Sequence, residues 1–104
     1  MGRPMARETD VHEGICCHGA PCCPHRVIGT IVECSPTTGT DGLGAARLGD
    51  LVEHDCPHCG IGWVSSGCGG VTVDGLPAAR LGDGVTYPGG GGEITTGSGT
   101  TNCC

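Results

Sequence analysis

The 104-residue sequence predicts a small all-β fold with little or no helix. Three observations carry that prediction. The chain contains an internal repeat, its apolar residues fall in short β-branched segments fenced by turn residues, and no stretch keeps a 3.6-residue apolar period over three turns.

The repeat is the firmest of the three. Residues 40–50 read T-D-G-L-G-A-A-R-L-G-D and residues 73–83 read V-D-G-L-P-A-A-R-L-G-D, with nine of eleven positions identical at a spacing of 33. The same spacing carries Cys23-Pro24-His25 onto Cys56-Pro57-His58, and Ile28-Gly29 onto Ile61-Gly62. Two units therefore cover residues 18–50 and 51–83. A third, partial unit over 84–102 follows with a three-residue deletion and stops before any Ala-Ala-Arg segment. Three units is the natural reading.

Within each unit the segments Gly29–Glu33, Gly62–Ser65, Val71–Val73 and Glu93–Thr96 read as strands. Asp41-Gly42 and Asp74-Gly75 read as tight turns, because Gly accepts the positive φ that such turns demand. Residues 1–15 show no periodicity and are expected to form an N-terminal arm ahead of a single domain over 16–104.

Composition explains why such a fold needs staples. The chain has no Phe, one Trp and one Tyr, and its 22 Gly residues each cost backbone entropy on folding. A domain this small is marginal on its apolar core alone. Ten Cys and five His offer metal ligation, disulfides or both. The opening Met-Gly-Arg-Pro-Met-Ala-Arg lacks an apolar stretch, so the expectation is synthesis in a cytoplasm, where thiols stay reduced and metal ligation comes first. Disulfides would follow in an oxidising medium. A net charge of −6 argues against nucleic acid as a partner, because binding phosphates needs a basic face.

Pro77-Ala78-Ala79-Arg80, set between Val73-Asp74-Gly75-Leu76 and Leu81-Gly82-Asp83, resembles the signature of the PAAR-repeat family. Gly44-Ala45-Ala46-Arg47 resembles a variant of it. The element that usually precedes the signature corresponds to Cys34-Ser35-Pro36, Gly67-Cys68-Gly69 and Gly97-Ser98-Gly99. The resemblance covers residues 16–102. It implies a conical fold of three pseudo-equivalent β repeats with a metal ion near its point. It further implies a non-enzymatic role: one copy capping and sharpening the trimeric central spike of a contractile injection machine, so that the spike pierces a target cell envelope. Such machines are phage tails and type VI secretion systems. The Cys load favours a particle that endures outside cells, hence a virion at the tip of the tail, with the secretion apparatus as the alternative.

Candidate ligands crowd the two linkers that precede a repeat's first strand. His18, Cys22, Cys23 and His25 lie in one, and His54, Cys56, His58 and Cys59 in the other. Imidazole nitrogen and thiolate sulfur suit tetrahedral zinc in a closed structural site, with iron as a possible substitute. The family's usual set resembles three His and one Cys. By position, His54 and His58 match two of them, His18 or His25 the third, and Cys56 ranks first for the fourth. Tyr87 stands where the family often supplies Cys.

Other functions fare worse. Cys56-Pro57-His58-Cys59 has the C-x-x-C form of thiol–disulfide oxidoreductases, but the chain offers no helix to lower a thiol pKa and too little apolar sequence for a thioredoxin-like fold. No hydrolase constellation emerges. A free-standing zinc-binding adaptor would explain the Cys and His but not the repeated turn. Arg47, Arg80, Asp50 and Asp83 read as structural, with each Arg tied to its Asp or to backbone. Val71, Val73, Leu43, Leu76, Leu48 and Leu81 are the expected contributors to core and base.

Overall fold

The computed structural model describes residues 3–16, 25–40, 42–55, 61–99 and 101–103, with the side chains of His25 and Cys103 outside that description. Among the described residues there is no helix. The strands are β1 (Arg3–Pro4), β2 (Val11–Cys16), β3 (His25–Thr30), β4 (Gly39–Thr40), β5 (Leu43–Gly44) and β6 (Leu51–Val52), followed by β7 (Gly62–Val64), β8 (Cys68–Val73), β9 (Leu76–Ala78), β10 (Gly84–Tyr87), β11 (Gly90–Ile94) and β12 (Asn102–Cys103).

Six of them make one curled antiparallel sheet in the order β3-β2-β11-β10-β7-β6. Its two outer strands then meet. Ile31 bridges Val52, Val32 N–H donates to Leu51 O at 3.0 Å, and Glu53 N–H donates to Thr30 O at 2.9 Å. Among the described residues the six-stranded sheet thus leaves no long edge of unpaired amides, the usual liability of a small sheet. Three hairpins, β2–β3, β6–β7 and β10–β11, stand around a central axis. Three short ladders, β4–β5, β8–β9 and β1–β12, flank them.

The pseudo-threefold relation can be read from the hydrogen bonds. Ala6 N–H donates to Ala79 O, Ala79 N–H to Ala46 O, and Ala46 N–H back to Ala6 O, at 2.9, 3.0 and 3.0 Å. One chain closes a three-membered ring of amides about the axis. All three alanines are fully buried, and a methyl is the side chain that lets three backbones approach so closely. Around the ring the pattern repeats. Glu8, Leu48 and Leu81 N–H donate to Gly44, Pro77 and Pro4 O, and Ile31, Val64 and Ile94 N–H donate to Asp10, Asp50 and Asp83 O.

Each corner is pinned by an Arg–Asp staple. Asp10, Asp50 and Asp83 are buried, and each accepts a backbone N–H and a guanidinium from Arg7, Arg47 and Arg80, with Nε–Oδ2 distances of 3.0 Å in all three. The forked head neutralises a carboxylate that could not otherwise stay buried. Its bond to Asp50 is also the main reason the Arg47 pKa is raised.

The expectation for residues 1–15 is therefore corrected. Residues 3–16 are not an arm. Pro4-Met5-Ala6-Arg7-Glu8-Thr9-Asp10 supplies the Ala–Arg–Asp corner that the third unit lacks in sequence, and β1 pairs with β12 to complete it (Arg3 opposite Cys103). The other two units join their equivalent strands through Gly42 (φ 81°) and through Asp74-Gly75 (φ 54° and 81°), the positive-φ pair of a tight hairpin turn.

The core draws on few of the six residues expected for core and base. Its main cluster holds Ala6, Ala46 and Ala79 with Ile31, Val64, Ile94, Val52, Val85, Val27, Cys16 and Tyr87. Of the six residues expected there, Val73 is buried and Val71 packs against it. Leu43, Leu48 and Leu81 are half-buried and Leu76 is exposed. Side chains that alternate inward along the ring strands fill a space too narrow for many leucines.

Candidate functional site

Strands β2, β6 and β10 run from the Arg–Asp corners to the opposite end of the ring, where the hairpins turn. Two of the three connections contain residues 17–24 and 56–60, with seven of the sequence's fifteen His and Cys. The third is the short Pro88-Gly89 connection between β10 and β11. At this end Cys16 pairs with His25 on one side and with Gly90 on the other, so the hairpins start from a common level.

Three inward-facing positions line the axis there, related by the pseudo-threefold: Gly14, His54 and Tyr87. The layer below holds His12, Val52 and Val85. Where two units bury a valine, the third buries an imidazole with no exposed surface. His12 Nε2 lies 2.5 Å from Glu53 O and its Nδ1 lies 2.7 Å from the Tyr87 hydroxyl. A carbonyl only accepts, so Nε2 carries the proton. Nδ1 of the neutral ring then accepts from the Tyr87 hydroxyl.

Both pKa directions agree with that neutral pair. Burial is the main cause lowering the His12 pKa, and nearby His54 lowers it further. Burial pushes the Tyr87 phenol up to about 12. His54 also packs against Tyr87, with ring centroids 4.9 Å apart, against 5.5 Å for His12 and Tyr87.

The arrangement sorts the candidate ligands. His12 has both nitrogens engaged and is closed to a metal. Tyr87, a protonated donor to His12, does not supply the anionic oxygen that a metal would want. His54 is half-exposed and stands beside Tyr87 in the top layer. His18, Cys56 and His58 lie outside the described residues, as do Cys22, Cys23 and Cys59. His25 is placed only by its backbone, opposite Cys16. Among the described residues no group of three His, Cys, Asp or Glu converges on one point. Of the candidate ligands only His54 is described with its side chain, and its imidazole is a donor type that zinc accepts.

Cys16 and Cys68 are each one half of a disulfide. Covalent staples therefore operate beside whatever the histidines hold. Cys34 keeps a free thiol whose pKa is raised, first by burial and then by Glu8 and Asp50.

Sequence reasoning passed over His12 because it lay in the supposed arm. Aligning Ala6-Arg7-Glu8-Thr9-Asp10 with Ala46-Arg47-Leu48-Gly49-Asp50 would have placed His12 on Val52, inside the core. Ala45, Ala46, Ala78 and Ala79 are fully buried, Gly44 and Pro77 provide acceptors, and Arg47 and Arg80 close the staples. In comparisons with known proteins, no family model and no curated protein sequence matches this chain.

Proposed function

We propose that this chain is a structural cap for a three-fold shaft: the tip of the trimeric central spike of a contractile injection machine. The observation that carries the reading is the closed ring of Ala6, Ala46 and Ala79 amides. Through it a single chain presents nearly the same backbone corner three times, as a partner with three-fold symmetry requires. The Arg–Asp corners and the short ladders form the docking end. The half-buried leucines 43, 48 and 81 and exposed Leu76 add apolar surface there. The hairpin end is the point that meets the target envelope, and no nucleic acid is involved.

A structural zinc ion, with iron as the alternative, belongs at the point. It would be held by His54 with ligands drawn from His18, His25, Cys56 and His58. Structural zinc sites contribute on the order of 10 kcal/mol to folding, enough to stiffen a fold with so small a core. The particle is a phage tail, or a type VI secretion apparatus as the second setting.

Co-expression with a trimeric β-helical spike protein, followed by native mass spectrometry, tests the cap. One copy per three spike chains is expected, and Leu76→Asp should weaken it. Three copies per trimer, or no complex at all, would overturn the reading.

A further inference from the structure

The three pseudo-equivalent faces of the ring provide an internal control, because they share one backbone and one register. On each face a row of three outward positions crosses three neighbouring strands. One row is Val32, Leu51 and Trp63. Val32 N–H donates to Leu51 O at 3.0 Å, and Leu51 stands opposite Trp63. The second row is Ser65, Gly84 and Glu93, built from the same bond at 2.8 Å and the same pairing of Gly84 with Glu93. The third is Thr95, Val11 and Thr30, again with the bond at 2.8 Å and Val11 opposite Thr30.

Only the first row is apolar throughout. Val32, Leu51 and Trp63 are 39%, 40% and 40% exposed, and Ile61, two residues before Trp63 on the same outward side, is 56% exposed. Folding does not ask for three apolar side chains in a row, since the sister rows build the same ladders with Ser, Gly and Glu and with Thr, Val and Thr. A contiguous apolar patch that the fold does not need is the usual mark of an interaction surface.

The rim selects among occupants. Exposed Glu33, Glu53 and Asp55 border the row. The chain's five basic residues are all Arg. The two exposed ones are already ion-paired, Arg26 with Glu13 and Arg3 with Asp83. A second copy of this chain would set these carboxylates against themselves, and an anionic lipid surface would be repelled in the same way. An apolar segment flanked by Lys or Arg meets both the row and its rim.

We infer that the Val32–Leu51–Trp63 face is a docking site for an apolar, cationic-flanked protein segment, bound on one side of the ring only. This site is separate from the three-fold docking end and stands or falls independently of it.

Trp63 is the chain's single tryptophan, so its fluorescence reports on this face alone. Titration of the intact protein with an alternating Lys–Leu heptapeptide should give a saturable blue shift. Val32→Ser installs the residue of a sister row and leaves Trp63 in place. It should weaken binding roughly tenfold, the scale of one buried aliphatic side chain, with an unchanged melting temperature. Glu53→Gln should weaken binding and flatten its salt dependence. Absence of a shift, or an equal shift with the Glu–Leu twin peptide, would overturn the inference. So would an equal shift with phosphatidylcholine vesicles, which would mark a lipid surface, or a shift on raising protein concentration alone, which would mark self-association.

Discussion

The two ends of the ring treat the repeat in opposite ways. At the Arg–Asp end all three units keep the same atoms in the same roles. Ala6, Ala46 and Ala79 close the amide ring, and three Arg–Asp staples agree in their Nε–Oδ2 distances. At the hairpin end the equivalent positions hold Gly14, His54 and Tyr87, above His12, Val52 and Val85. Symmetry is kept where three backbones must meet, and is lost where one particular piece of chemistry has to sit on the axis. The His12–Tyr87 hydrogen bond needs two different side chains from two units, whereas a closed amide ring needs the same small one three times.

The largest expected effect comes from breaking the symmetric end. Asp50→Ala leaves Arg47 and its own backbone N–H without their buried acceptor. Removing one member of a buried pair typically costs about 3–5 kcal/mol, so urea denaturation should show a loss of that order. Asp10→Ala should match it. A small loss at Asp10 alone would mean that the first corner is not equivalent to the other two.

At the hairpin end the test is pH. His12 is neutral in the fold and its pKa is lowered from 6.5, so the unfolded chain takes up the proton more readily. Its contribution is therefore complete above about 6.5 and declines as pH falls below that value, by at most about 1.4 kcal/mol per pH unit. Melting temperatures of chelator-treated protein should fall between pH 7.5 and 5. His12→Val, which installs the residue of its sister positions, should flatten that slope.

A smaller effect of opposite sign is expected at the first corner. Gly49 and Gly82 adopt φ of 89° and 88°, and the equivalent Thr9 is held at 75°, a conformation that strains a β-branched residue. Thr9→Gly should stabilise the protein by on the order of 1 kcal/mol, read from the urea midpoint. The same replacement cannot be made at the other corners, where glycine is already present.

Much of this was legible in the sequence, and the misses have physical causes. The 33-residue spacing, the Asp-Gly turns and the Arg–Asp partners could be read because short-range contacts leave short-range patterns. The third corner could not be read so easily. It lies at the opposite end of the chain from the rest of its unit, and Met5, Glu8 and Thr9 have replaced the Ala, Leu and Gly that mark the others. His12 was hidden by the same displacement. The leucines were expected in core and base without division between the two, because size and apolarity do not tell those roles apart; the core itself is filled by Val, Ile and Ala. Of the candidate ligands, His54 is described beside Tyr87 and His25 by its backbone at the start of β3, while His18, Cys56 and His58 lie outside the described residues.

The account turns on whether residues 4–10 complete a closed three-fold ring. Amide hydrogen exchange of Ala6, Ala46 and Ala79, followed by NMR, tests this directly. A closed ring predicts protection of the same order at all three, near that of global unfolding, because each amide is buried and bonded to the next. Fast exchange at Ala6, with Ala46 and Ala79 still protected, would contradict it and return residues 3–16 to a loosely attached arm.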